Sequence, residues 1–266
     1  ADRDKWVSDP RFVRAPVERL ASAEYAHERR RLIRLDRALG PGEIGPGTLF
    51  DSGQTPDAEA SSANSSTCTS TAPPQGEGDT CYFCAVDADG LAVSCIQSIF
   101  YAFGSMVVAG ESGIVLQDRG TSFSLDPRAA NRLEPGKRPL HTLIPAMLVR
   151  EGKPWLVFGS MGGEGQPQAQ AALVTRMVDF EYSPRAAVEA PRWLYGRSWG
   201  EASRALSLES RFPEATAREL ARRGHDVRVL GPWEEAMGHA QAILRREDGS
   251  LEGAADPRGD GAALTG

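Results

Sequence analysis

The sequence predicts an α+β protein, and three observations carry that prediction. From Thr80 onward the chain reads as short strands separated by tight turns, two helical patterns then interrupt it, and strands return after residue 226. Blocks of strand and helix, without strict alternation, imply sheet layers covered by helices. The 266 residues are 41% apolar and 25% charged, the profile of a globular chain with one large or two small domains. A net charge of -6 argues against a nucleic-acid or anionic-membrane partner. No apolar run approaches the length of a membrane span, so no membrane insertion is expected.

Residues 1–45 are arginine-rich and helical in pattern. Ser22 is a cap residue for a helix running to about Leu35, with Tyr25, Leu32 and Leu35 on one side. The cluster Arg29-Arg30-Arg31 reads as a solvated face balanced by Glu24 and Glu28. Residues 46–79 are rich in Pro, Gly, Ser and Thr, and cannot bury enough apolar surface to offset their ordering entropy. A disordered linker is expected there, and the sequon Asn64-Ser65-Ser66 is a chance match in low-complexity sequence. Strands are predicted at about 80–87, 91–99, 114–117, 144–150 and 154–159, with hairpin turns at Asp87-Ala88-Asp89-Gly90 and Glu151-Gly152-Lys153. A helix follows at about 167–180, with Pro167 in its first turn and Leu173, Val174, Met177 and Phe180 on its apolar stripe. A second helix spans about 213–223 and stops at Gly224. Strands at about 226–230, 240–246 and 251–254 complete the reading, with a turn at Asp248-Gly249.

The chemistry points to Thr80. A polar stretch without Lys or Arg precedes it, and the strand-like run Cys81-Tyr82-Phe83-Cys84-Ala85-Val86 follows it. A flexible leader that opens into a core strand through a Thr is what an N-terminal-nucleophile hydrolase requires. The Thr first cuts the peptide bond before it, then uses its freed α-amine as general base for its own hydroxyl. Cys81 and Cys84 form a CxxC pair, but three residues apart in a strand they face opposite sides. With no second pair or His cluster at metal spacing, the cysteines read as small core hydrophobes and no metal is expected. Ala1-Asp2-Arg3-Asp4 reads as chain interior, without start Met or signal peptide, so a fragment or one piece of a precursor is expected. The compartment, cytoplasmic or periplasmic and secreted, is left open.

Seven ordered stretches resemble the small subunit of the γ-glutamyltransferase (glutathione hydrolase) family. They are Phe103-Gly104-Ser105, Gly110-Glu111-Ser112-Gly113-Ile114-Val115-Leu116, Phe123-Ser124, Pro135-Gly136-Lys137-Arg138-Pro139, Gly159-Ser160-Met161-Gly162-Gly163, Ala190-Pro191-Arg192-Trp193 and Gly253-Ala254-Ala255-Asp256-Pro257-Arg258. The resemblance implies an αββα sandwich, incomplete in this chain. It divides the chain into a C-terminal helical part of the large subunit (1–45), a linker before the cleavage site (46–79) and the small catalytic subunit (80–266). It implies cleavage between Asp79 and Thr80, an acyl-Thr intermediate, and transfer or hydrolysis of γ-glutamyl groups such as that of glutathione. No cofactor is implied. The implied partners are a small amide or peptide substrate and the remainder of the large subunit.

By the same resemblance Thr80 is the nucleophile, Ser98 a second hydroxyl bonded to it, and Gly162 and Gly163 the oxyanion hole. Glycines suit that role because their N–H donors are not shielded by a Cβ. Substrate contacts fall on Phe100, Arg119, Ser122, His141 and Thr142. Here the sequence departs from the family. Phe100 cannot hydrogen-bond where Asn is usual, Ser122 carries no charge where Asp pairs with the substrate ammonium, and Arg119 adds a cation. An Arg fork suits a carboxylate, so the pocket favours an acyl group with a carboxylate and no ammonium. His141 is read equally as a contact or as a structural histidine. The alternatives are therefore an acylase on glutaryl- or oxamate-like amides, and an inactive truncated member.

Overall fold

The computed structural model describes residues 2–40, 42–47, 78–198 and 203–265, with the backbone only at Gly78 and Asp79. Asn64, Cys68 and most of the expected linker lie outside the described residues. Packing divides the chain into two units, one built from residues 1–71 with Arg119–His141, the other from Ala72–Asp118 with Thr142–Gly266. A packing boundary and a cleavage site answer different questions, and the first unit draws on sequence from both sides of Thr80.

In the first unit the helices are α1 (Asp2–Trp6), α2 (Val17–Leu20) and α3 (Ala23–Arg30). Ser22 caps α3, its Oγ accepting the Tyr25 N–H at 3.2 Å. The helix stops at Arg30, short of the predicted Leu35. Tyr25 is buried, but Leu32, Ile33 and Leu35 are exposed, and a helical turn without packing is marginal. Glu28 pairs with Arg19, and Arg29 reaches Asp2 and the Gly45 carbonyl, so the arginine cluster is balanced from outside its own helix. The buried Asp9 ties the unit together, accepting the Arg138 N–H at 2.8 Å and the Arg11 side chain.

The second unit contains β1 (Gly78–Val86), β2 (Ala92–Tyr101), β3 (Ala146–Arg150), β4 (Lys153–Ser160), α4 (Gln166–Val178), α5 (Pro184–Glu189), β5 (Trp193–Tyr195), β6 (Leu206–Glu209), α6 (Glu214–Arg222), β7 (Val227–Leu230), β8 (Ala240–Arg245) and β9 (Leu251–Ala255). Strands β1 and β2 form an antiparallel hairpin, and β3-β4-β8-β9 an antiparallel sheet. The hairpin packs on β4 and β8, while α4 and α5 cover the sheet's other face. Leu156, Phe158, Leu173, Met177, Val188 and Ala242 fill that core. Between the sheets Tyr82 lies against Gly159, where an added Cβ would come 2.3 Å from the ring. The Tyr82 hydroxyl is satisfied by Ser94 Oγ at 2.8 Å. A third sheet, β5-β6-β7, pairs β6 and β7 in parallel through the crossover helix α6.

Two expectations change. The predicted strand at 114–117 contributes only a bridge, Val108 to Val115, and Ile114 and Leu116 stay exposed. Cys81 is exposed and Cys84 and Cys95 are partly buried, so Cys81 is not core. Helix α5 and strands β5 and β6 were not anticipated, although Ser183-Pro184 is a legible cap and first turn. The Ser183 Oγ accepts the Ala186 N–H at 3.2 Å. Replacing Ser183 with Ala is expected to lower unfolding free energy by about 1 kcal/mol, read by denaturant titration, because one α5 donor loses its partner.

Candidate active site

Thr80 stands opposite Ser98, and the β1–β2 register slips at that point. Asp79 pairs with Phe100 and Thr80 with Ser98, which leaves Ile99 as the extra residue of a bulge. The Thr80 hydroxyl donates to Ser98 Oγ at 2.9 Å. The Phe100 N–H donates to the same oxygen at 2.9 Å. Ser98 Oγ therefore accepts from both, which fixes the Thr80 rotamer and hydroxyl direction. The bulge has a cost. Phe100 holds φ at 81°, a region that disfavours a bulky side chain. Asn, usual at this place by the resemblance, tolerates that conformation better. The Phe100 ring stacks edge-on against Tyr101 at 4.6 Å.

The second half of the site is the turn that leaves β4. Gly162 and Gly163 both have positive φ (135° and 49°). A short 3-10 turn, Gly163–Gly165, then leads into α4. Around them the N–H groups of Met161, Glu164 and Gly165 are bonded to the carbonyls of His239, Ser198 and Gly162. Among the described residues no protein acceptor meets the N–H of Gly162 or Gly163. Two unbonded donors at the start of a 13-residue helix are suited to a developing oxyanion. A Cβ on Gly163 would clash with backbone, 2.2 Å from the Ser198 carbonyl oxygen, whereas one on Gly162 would sit tightly, 3.2 Å from Gly238 Cα, at a φ that strains an L side chain.

A buried ionic cluster holds this turn from behind. The Arg192 guanidinium donates to the Gly238 carbonyl at 2.5 Å and pairs with Asp256 at 2.5 Å. Asp256 also accepts the Ala240 N–H at 2.8 Å and pairs with Arg258, which in turn forks onto Glu209 through two bonds of 2.6 and 2.7 Å. Burial pulls the Arg192 pKa down to about 10, with the Asp256 charge opposing that shift, so Arg192 is cationic at neutral pH. This cluster explains why Arg192, Asp256 and Arg258 recur within the motifs read from the sequence, a structural role that sequence reasoning did not assign.

The two halves are carried by elements that pack together, the β1–β2 hairpin and β4. The Tyr101 pKa is raised, first by burial and then by Asp118 and Glu164, while the Arg197 charge pulls the other way. Tyr101 follows Phe100, and Glu164 follows Gly163, so the hydroxyl pair and the glycine turn share one electrostatic neighbourhood. Thr142 is half-buried in the same unit. Arg119, Ser122 and His141 belong to the first unit. There Arg119 is 1% exposed, and the Ser122 hydroxyl donates to the Arg119 carbonyl at 2.9 Å. The His141 pKa is lowered, first by the covered part of its ring and then by Arg119 and Arg138, so it is neutral at pH 7. A groove of about 330 Å³ lined by Arg150, Trp155, Tyr182 and Arg246 lies at the opposite end of β4, away from the glycine turn. No group of three or more His, Cys, Asp or Glu side chains among the described residues is placed to hold a metal ion.

Comparison with known proteins gives the site its family. A model of the gamma-glutamyltranspeptidase family matches residues 1–266. The chain is 50% identical over 261 residues to the oxamate amidohydrolase proenzyme of Klebsiella pneumoniae, covering 98% of this chain and 44% of that protein. It is 44% identical over 263 residues to the glutathione hydrolase-like YwrD proenzyme of Bacillus subtilis, covering 99% of this chain and 44% of that protein. Among solved structures, a cephalosporin acylase from Bacillus halodurans superposes with a TM-score of 0.78 at 38% identity, covering all of this chain and 42% of that one. The chain thus spans less than half the length of these relatives. Other structural neighbours are gamma-glutamyltranspeptidases from Pseudomonas nitroreducens, in keeping with the α+β layering. On this match across its whole length, the chain belongs to the gamma-glutamyltranspeptidase family.

Proposed function

We propose that this chain carries the catalytic centre of an amide hydrolase or acyltransferase that works through an acyl ester on Thr80. The observation that carries the reading is the Thr80 hydroxyl aimed at Ser98 Oγ across the bulge. Activation begins within the chain. Thr80 Oγ attacks the Asp79 carbonyl carbon, the bond to the Thr80 nitrogen breaks, and that nitrogen takes the hydroxyl proton. Water then hydrolyses the ester, leaving a new Asp79 carboxyl group and a free Thr80 amine. A peptide nitrogen is not basic, whereas an α-amine with a pKa of about 8 is poised to accept a proton near neutral pH.

In turnover the amine accepts the Oγ proton while Oγ bonds to the substrate carbonyl carbon. Negative charge develops on the carbonyl oxygen, where the N–H groups of Gly162 and Gly163 receive it. The carbon–nitrogen bond breaks, the Thr80 ammonium returns its proton to the leaving amine, and water or an acceptor amine releases the acyl group. Two acyl classes are in view. Gamma-glutamyl amides such as glutathione follow from the family. Amides whose acyl group bears a carboxylate and no ammonium are favoured by Phe100 at the position of a usual Asn. The names of the amidohydrolase and acylase relatives agree with this second class.

The test is to incubate the purified protein with γ-glutamyl and glutaryl anilides and to search its peptides by mass spectrometry for a chain beginning at Thr80. Faster release from the glutaryl compound, with that new N-terminus present, is expected. Preference for the γ-glutamyl compound restores the first class. The absence of both the new terminus and turnover overturns the acyl-Thr reading in favour of an inactive member.

A further inference from the structure

Arg197 was not anticipated as a functional residue, yet it borders the glycine turn. The Ser198 carbonyl accepts the Glu164 N–H at 3.0 Å and lies where a Cβ of Gly163 would be. The backbone of 197–198 is thus the wall of the oxyanion turn. The Arg197 Nη2 lies 3.2 Å from Glu164 Oε1, and the two side chains are 35% and 41% exposed. The Arg197 side chain is therefore partly exposed, unlike the 1%-exposed Arg119. Glu164 pairs with it directly, and Tyr101, which feels the charges of Arg197, Asp118 and Glu164, lies in the same neighbourhood.

We propose that Arg197 is a specificity-determining residue that receives a carboxylate carried by the acyl group, with Glu164 as the counter-ion it exchanges for that carboxylate. The inference rests on the amide-hydrolase reading above and names the anchor within it. Two arguments carry it. A planar fork of donors matches a carboxylate in two parallel bonds. An acyl group anchored beside Gly163 presents its carbonyl oxygen to the unbonded glycine donors, so one placement serves both contacts. Glu164 keeps the guanidinium oriented, and an acyl group without a carboxylate gains nothing by displacing it, which contributes to specificity.

Arg197→Met, Arg197→Lys and Glu164→Gln test the assignment with two anilides of equal length, glutaryl and valeryl, that differ in the terminal carboxylate. Arg197→Met is expected to lower kcat/KM for the glutaryl compound by about 10- to 100-fold, the usual effect of losing a charged hydrogen-bond partner. The valeryl compound should change less than about threefold, Arg197→Lys should fall between, and Glu164→Gln should lower KM for the glutaryl compound only. Because the pair is partly exposed, each variant should fold with an unchanged unfolding midpoint. Calorimetric titration with glutarate gives a readout independent of turnover, in which the wild type binds and Arg197→Met does not. Equal losses for both anilides, no loss for either, or undiminished glutarate binding by Arg197→Met overturns the proposal. A wild type that binds glutarate through Arg197 but hydrolyses neither anilide instead overturns the hydrolase reading.

Discussion

Thr80→Ala is expected to leave the Asp79–Thr80 bond uncut and to lower amide turnover by about 10⁴-fold or more. The loss is double. Alanine has no hydroxyl to attack the Asp79 carbonyl, so the basic amine is never freed. Even with that amine supplied by expressing residues 80–266 as a separate chain, no oxygen would remain to take the acyl group. Removing a nucleophile typically costs as much as removing the whole catalytic group that acts with it. The fold should persist, because Thr80 is only partly buried at the edge of a bulge and its hydroxyl makes one hydrogen bond. Circular dichroism and an unfolding curve should match the wild type, while peptide mass analysis finds no chain starting at Thr80. Cleavage at the same bond in Thr80→Ala would remove the nucleophile assignment.

Gly163→Ala is expected to reduce kcat by about 10²- to 10³-fold with a smaller change in KM, the usual effect of spoiling one oxyanion donor. Two causes act together. The backbone sits at φ 49°, where an L side chain is strained. The new Cβ would also lie 2.2 Å from the Ser198 carbonyl oxygen, and that oxygen is backbone, so the turn itself must move. Displacing the turn re-aims the Gly163 N–H. Because it also pushes on the 197–198 wall, some stability is lost as well, so kcat should be measured on samples shown to be folded at the assay temperature. An unchanged kcat would mean that the oxyanion is held elsewhere.

Much of this was legible in the chain. The hairpin at Asp87–Gly90, the turn at Glu151-Gly152 and the long helix after Gly163 follow from short-range rules of turn chemistry and apolar spacing. They appear within one or two residues of their expected places. The helix from Ser22 was placed correctly at its start, which a local cap determines, and incorrectly at its end, which packing determines. The run at 114–117 looked like a strand because its residues favour strands, but a strand needs a partner, and the described chain offers only one bridge.

Local sequence by itself settled the turns, the caps and the apolar faces, because each depends on residues a few positions apart. Its ordered motifs between Phe103 and Arg258 pointed to the family that the match over residues 1–266 shows. Only the tertiary structure decided that the Thr80 hydroxyl donates to Ser98 across a register slip, that among the described residues the Gly162 and Gly163 N–H groups meet no protein acceptor, and that Arg192 and Asp256 brace the turn behind them. It also placed Arg119 in the interior and Arg197 beside the glycines. Such facts join residues dozens of positions apart, and which of them meet is set by how sheets, helices and buried charges pack together, a balance that no local pattern encodes.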